Sequence, residues 1–190
     1  MVLTIAMDGP VGAGKSSVAD EVARRLGILH LDTGAMYRAF AWMALKEGVD
    51  TSDAQALAAL AASVMPEVRF ENGAQRTLIG GKDVTDFIRT PEISTAASVV
   101  STVPQVRRAM VVRQQELARH QSMLLDGRDI GTRVLPNATL KIFLTASAEV
   151  RARRRFDELQ SKGDPSTYEQ VLAEVRSRDE RDTTREADPL

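Results

Sequence analysis

Gly9-Pro10-Val11-Gly12-Ala13-Gly14-Lys15-Ser16 constrains this chain more than any other stretch, because it satisfies G-x-x-x-x-G-K-[ST] at every required position. Such a loop works only between a buried strand and the start of a helix. Glycine lets the backbone curl until successive N–H groups point inward, and the following helix adds the positive end of its dipole. The flanks agree. Leu3-Thr4-Ile5-Ala6-Met7 is a short, mostly apolar run suited to a buried parallel strand. Beyond the loop, Val18, Val22, Ala23 and Leu26 recur at helical spacing, Asp20, Glu21, Arg24 and Arg25 fall largely on other faces, and Gly27 stands where a helix C-cap belongs. The chemistry implied is triphosphate binding. Lys15 supplies a mobile point charge for the β- and γ-phosphates, and the Ser16 hydroxyl can ligate Mg²⁺. A chance match in a glycine-rich turn is the competing explanation; strand, loop and helix in the required order argue against it.

Three further strand candidates alternate with helical segments. Ile28-Leu29-His30-Leu31 precedes Asp32-Thr33-Gly34 and a helix from Ala35 to Leu45, while Ser122-Met123-Leu124-Leu125-Asp126 and Leu140-Lys141-Ile142-Phe143-Leu144 come later. This alternation, with a phosphate loop at the first turn, predicts an α/β fold: a P-loop NTPase parallel sheet flanked by helices. Asp50-Thr51-Ser52-Asp53 offers an N-cap for an alanine-rich helix through about Ser63. Pro91, after Thr90, and Pro104 suit the first positions of two more helices, the second running to His120. Between them, Val68-Arg69-Phe70 and Thr77-Leu78-Ile79 alternate around Asn72-Gly73, which predicts a small hairpin sheet, with a third strand near Val84, inserted into the main fold. An arginine-rich helix is expected from about Ala148 to Lys162, and Ser166-Thr167-Tyr168-Glu169 reads as a capping box opening the last helix.

Composition narrows the function classes. A chain of 190 residues suits one domain, and a net charge of −1 gives no nucleic-acid or membrane signal. The absence of cysteine excludes disulfides and thiolate metal sites, and the only histidines, His30 and His120, are far apart and read as structural or surface residues. No segment is apolar enough to span a membrane and no leader pattern is visible, so a cytoplasmic protein is expected.

Polar residues gather where the strands end. Asp32-Thr33-Gly34 lies on the carboxyl edge, where open α/β sheets bind ligands, and Arg38 is about one helical turn beyond Gly34. An ordinary helix N-cap by Asp32 or Thr33 is the alternative, and both roles can coexist. Asp126-Gly127-Arg128-Asp129 follows the third strand; a carboxylate there could face Mg²⁺ through water, with Arg128 as a hydrogen-bond donor to phosphate and Asp129 as a hydrogen-bond acceptor, or the stretch is a simple acidic turn. Arg151, Arg154 and Arg155 share a helix face from which Arg153 diverges, and Arg178, Arg181 and Arg185 interleave with Asp179, Glu180 and Asp182. These arginines form either a salt-bridged solvated surface or a lid that brings charge to transferring phosphate.

Gly9–Ser17, Leu31-Asp32-Thr33-Gly34-Ala35-Met36-Tyr37-Arg38, Asp126-Gly127-Arg128-Asp129-Ile130-Gly131-Thr132, Lys141-Ile142-Phe143-Leu144 and Arg178-Asp179-Glu180-Arg181-Asp182 together resemble the bacterial cytidylate kinases, in order and over essentially the whole chain. The resemblance implies a nucleoside monophosphate kinase of pyrimidine metabolism that moves the γ-phosphoryl of ATP to CMP or dCMP. By resemblance, Gly9, Pro10, Val11, Gly12, Ala13, Gly14, Lys15, Ser16 and Ser17 hold the ATP phosphates, with Mg²⁺ at Ser16 and, through water, at Asp126. Arg38, Arg128 and Arg185 clamp the CMP phosphate, Ser98, Arg107 and Asp129 read cytosine, Arg178 and Asp182 meet the sugar, and Asp32 and Thr33 belong to the same substrate site. Lys15, Arg128, Arg154 and Arg185 carry the catalytic charge. A single domain is implied, with core at 1–34, 122–147 and 166–190, a monophosphate-binding region at about 35–121 holding the β insertion at about 66–85, and a lid at about 148–165. A monomer with no nucleic-acid or membrane partner is expected. Relatives continue beyond a stretch like Ala187-Asp188-Pro189-Leu190 with one more strand and a helix, so the last core strand is expected to be missing here. Rival readings are a P-loop kinase with another acceptor (AMP, UMP or shikimate) and a slow nucleotide-dependent switch; the insertion and the Asp126–Asp129 segment argue against the other acceptors.

Overall fold

The computed structural model describes residues 2–190. Strand β1 (Thr4–Asp8) feeds the phosphate loop and helix α1 (Lys15–Leu26). Gly27 closes that helix in the left-handed conformation, its N–H reaching the carbonyls of Ala23 and Arg24. Strand β2 (Leu29–Asp32) runs directly into α2 (Thr33–Lys46), followed by α3 (Ala54–Ser63). A three-stranded antiparallel sheet, β3 (Glu67–Glu71), β4 (Ala74–Ile79) and β5 (Lys82–Asp83), comes next, then α4 (Pro91–Val100) and α5 (Pro104–Ala118). Strand β6 (Met123–Gly127), a π-helical turn (Ile130–Val134), β7 (Leu140–Phe143), α6 (Ala148–Ser161) and α7 (Tyr168–Thr184) complete the chain.

The main sheet is parallel throughout, in the order β2-β6-β1-β7. Because β6 enters between β1 and β2, the chain reverses its direction of growth there, and that is where a crevice opens at the carboxyl edge of such sheets. The register fixes what meets at the crevice. Asp126 pairs with Asp32 on one side and Met7 on the other, and Gly127 pairs with Asp8. Three acidic residues from distant segments thus reach one edge. All of β6 is buried, as its apolar run requires, whereas β7 lies at the sheet's end with Leu140 and Phe143 half or more exposed.

One sheet face carries the larger core, where Leu31 and Leu125 meet Met36 and Phe40 of α2, Leu57 of α3 and Met110 of α5. Each such side chain contributes roughly 1.5–3 kcal/mol through burial. The other face packs Ile5, Met7 and Leu124 against Ala19 of α1. Helices α6 and α7 bury Ala152, Leu159, Val171 and Val175 in a small core of their own, with Phe156 edge-on to Tyr168 at 6.1 Å. The insertion shares the larger core through Ile79 and Val84, and one polar side chain also ties it to β2. Gln75 of β4 accepts from the backbone N–H of Asp32 at 2.7 Å and donates to its carbonyl at 3.2 Å, continuing the hydrogen bonding of β2 past its end.

Two local features differ from the sequence reading. The capping box of α7 sits one residue later than expected. Thr167 is the N-cap: its hydroxyl accepts from Gln170 N at 3.3 Å while the Gln170 side chain accepts from Thr167 N at 2.8 Å. The Ser166 hydroxyl is already engaged, donating to the Asp164 carboxylate at 2.5 Å, so the next hydroxyl takes the cap. The π-helical turn after β6 was also not anticipated. It closes through Val134 N to Asp129 O and Leu135 N to Ile130 O, and Asp8 stabilises its start by accepting from the N–H groups of Ile130 and Gly131, both at 2.8 Å.

Candidate active site

The phosphate loop owes its shape to one close approach. A Cβ on Gly9, at φ 148°, would lie 1.9 Å from the Leu144 carbonyl oxygen, so no other residue fits beside the end of β7. Lys15 is buried, and its Nζ donates to the carbonyls of Gly9 and Pro10 at 2.7 and 2.8 Å. Burial first, and then the charge of Arg128, pull the Lys15 ammonium down to about 7. Ser16 and Ser17 stand in the first turn of α1. Helix α6 lies over the loop. Arg151 donates to the carbonyls of Val11 and Ala146 and forms a bidentate pair with Asp179 of α7, while Arg154 Nη1 approaches the Ala13 carbonyl at 3.5 Å. Of the helix arginines, Arg151 is therefore structural, Arg154 faces the loop, Arg155 pairs outward with Glu158, and Arg153 diverges onto the Tyr168 ring.

Asp126 connects this loop to β6. Its Oδ2 accepts from Ser16 Oγ at 2.9 Å, and its Oδ1 lies 3.0 Å from His30 Nε2. His30 Nδ1 in turn lies 2.6 Å from Asp20 Oδ1. Burial opposes a charge on His30, but the Asp126 and Asp20 carboxylates outweigh it and push the imidazole up to about 9.

The second half of the site is a cleft of about 450 Å³ on the same edge, lined by four arginines (107, 128, 178 and 185) and two aspartates (129 and 182), with Thr33, Gly34 and Tyr37. Its excess of positive charge suits a phosphate dianion. Asp32 takes the capping role foreseen for it and also pairs with two arginines. Its Oδ1 accepts from Ala35 N at 2.9 Å, capping α2, and its Oδ2 accepts from Arg38 at 2.7 Å and Arg89 at 3.3 Å. Thr33 Oγ1 donates to the Asp126 carbonyl at 2.7 Å, which fixes the start of α2 on β6. That contact also requires glycine at 127, where a Cβ would lie 2.8 Å from Thr33 Oγ1 and 2.7 Å from Ile130.

Ion pairs hold the cleft together. Arg128 Nε donates to Asp182 at 2.8 Å, and Arg185 reaches Asp182 at 3.8 Å and Asp129 at 3.9 Å. Arg107, wholly buried on α5, pairs with Asp129, donates to the Ser101 carbonyl, and stands over the Tyr37 ring at 5.8 Å. Arg178 is the odd member. Its Nε is buried without a partner, and burial followed by the nearby charge of Arg128 draws its guanidinium down to about 10.

Most residues expected in the site thus converge, from α2, α5, β6 and α7. Ser98 does not join the Arg107–Asp129 cluster; its hydroxyl accepts from Arg181 at 3.1 Å, and the residue lines the neighbouring groove toward Val11 and Gly12. Five contributors were not assigned to the site from sequence: Asp8, His30 (read there as structural or surface), Tyr37, Gln75 and Asp188, the last accepting from Arg107 and Arg133 through its carboxylate and from Arg185 through its carbonyl. A signal existed for His30, which the two-residue period of β2 places on the same face as Asp32.

A parallel sheet with a phosphate loop at its first turn defines a P-loop nucleotide-binding α/β protein, here with a separate arginine-lined cleft on the same edge. Sequence comparison gives the family. A sequence model described as cytidylate kinase matches residues 5–190, and the chain belongs to the cytidylate kinase family. It is similar to the cytidylate kinase of Caldicellulosiruptor bescii, at 48% identity over 99% of this chain and 83% of the relative. It is likewise similar to that of Shouchella clausii, at 49% over 98% and 83%, and that of Geobacillus kaustophilus, at 48% over 99% and 84%. Among the described residues, no helix is long and apolar enough to cross a membrane.

Proposed function

We propose that this protein transfers the γ-phosphoryl group of ATP to CMP or dCMP, giving ADP and CDP or dCDP. The observation that carries the reading is the adjacency of the two anion sites: β6 delivers Asp126 to Ser16 of the loop and, two residues later, Arg128 to the cleft. A phosphate in each site brings donor and acceptor onto the same sheet edge. The nucleophile is already an anionic phosphate oxygen, so no protein base is needed. The work is alignment and charge neutralisation. Lys15 and the loop N–H groups hold the donor phosphates, Arg154 covers them from α6, and Arg38, Arg128 and Arg185 hold the acceptor phosphate. Asp129, set by Arg107, accepts from the exocyclic amine of cytosine, where uracil presents a carbonyl that it would repel. Arg178 and Asp182 take the sugar, and Ser98 joins base recognition from the edge of the cleft.

The donor set fits Mg²⁺. Ser16 Oγ and Asp126 Oδ2 are hard oxygen donors 2.9 Å apart beside Lys15, and no group of three or more histidine or acidic side chains among the described residues forms a closed metal cage. A cation that keeps most of its waters and leans on one or two protein groups plus phosphate matches this pattern. When bound, Mg²⁺ supplies charge neutralisation at the donor phosphates. Measuring ADP release with a panel of nucleoside monophosphates tests the proposal. Turnover that depends on CMP or dCMP is expected; turnover only with another acceptor, or slow hydrolysis indifferent to acceptor, overturns it.

A further inference from the structure

His30 stands between two carboxylates, and its position is set by the sheet rather than by the phosphate loop. The register of β2 on β6 places Leu124 opposite His30 and Asp126 opposite Asp32, so the imidazole reaches Asp126 diagonally. Nε2 lies 3.0 Å from Asp126 Oδ1 and Nδ1 lies 2.6 Å from Asp20 Oδ1. An ionised carboxylate only accepts hydrogen bonds, so in both contacts the ring nitrogen is the donor. Asp126 then has one oxygen committed to the histidine and the other to Ser16 Oγ at 2.9 Å. The His30 and Asp126 side chains are 10% and 5% exposed, whereas Asp20 is 73% exposed and acts as an outer anchor for the ring.

We infer that His30 is a positioning residue for the donor metal, holding the Asp126 carboxylate so that only Oδ2 faces the cation beside Ser16. The inference rests on the phosphotransfer reading for the identity of the cation. Without the His30 bond, the carboxylate is free to turn about its Cβ–Cγ axis and presents either oxygen to Ser16. Partners of metal-facing carboxylates are worth about 10–100-fold in metal affinity. The lower end applies here, because Asp126 is expected to act through water.

Calorimetric titration of the protein with ADP, with and without Mg²⁺, tests this apart from turnover. In the natural protein Mg²⁺ is expected to tighten ADP binding. His30→Leu, which removes both donors and keeps an apolar body, is expected to cut that Mg²⁺-dependent gain about 10-fold while leaving metal-free ADP and CMP affinities unchanged. A full gain in His30→Leu, or a loss shared equally by metal-free ADP and CMP, overturns the inference. If His30→Leu fails to fold, Asp20→Ala, which leaves Nδ1 without its acceptor at the exposed anchor, serves the same measurement. A reduced gain supports the inference and an unchanged gain overturns it. Failure of the kinase reading looks different: it removes CMP-dependent turnover from the natural protein but leaves its Mg²⁺-dependent ADP gain in place.

Discussion

The phosphate loop and the arginine cleft lie side by side on one sheet edge, yet they are built in opposite ways. The loop is one contiguous stretch whose backbone curls because Gly9 passes against the Leu144 carbonyl. The cleft is assembled from residues as far apart as Thr33 and Arg185, and three of its four guanidinium groups, those of Arg107, Arg128 and Arg185, are held by Asp129, Asp182 and Asp188. Backbone N–H groups cannot be re-aimed without refolding the loop. Paired arginines can exchange a carboxylate partner for a phosphate at little cost in structure. In the proposed function the loop accordingly supplies tight, general phosphate binding and the cleft supplies the choice of acceptor.

Substitutions can break this contrast from either side. The largest effect is expected for Lys15→Ala, where turnover should fall by about 10³-fold or more. The melting temperature should hold, because a buried ammonium stabilises the fold little; near-normal turnover of the folded variant would remove Lys15 from phosphate binding. Arg185→Ala tests the cleft alone. A drop in kcat/KM for CMP of about 10²–10³-fold is expected with ADP affinity intact, and a parallel loss of ADP affinity would show that the two sites are not separable. Asp129→Ala should abolish the preference for CMP over UMP and, by leaving the buried Arg107 only Asp188 and the Ser101 carbonyl as partners, cost about 1–3 kcal/mol in chemical denaturation. Unchanged discrimination would take Asp129 out of base recognition. Asp8→Ala is the mildest. It leaves the N–H groups of Ile130 and Gly131 unpaired, so a loss of about 1–3 kcal/mol and a raised KM for CMP, with KM for ATP steady, are expected from steady-state and denaturation data.

Local signals were legible where the backbone itself answers to sequence. The four core strands, the phosphate loop, the Gly27 cap and the helix starts at Pro91 and Pro104 depend on residues within a few positions of each other. The cap of α7 slipped by one residue because Asp164 competes for Ser166, a choice between two nearby hydroxyls that spacing does not settle. Gln75 was opaque for a different reason. A glutamine in a hairpin strand has no pattern that announces a partner 43 positions away at Asp32.

The linear order of residues by itself determined that a parallel strand meets a phosphate loop and a helix, and that arginines and aspartates collect after strand ends. Tertiary structure decided which of them meet. Inserting β6 between β1 and β2 sets Asp126 against Ser16 and His30, places Asp8 under the turn that carries Asp129, and lets α7 close Arg178, Asp182 and Arg185 over α2. The physical reason is range. Glycine curvature and hydrophobic period act over a few residues, whereas a buried ion pair depends on strand register and helix packing, which the whole sheet must form first.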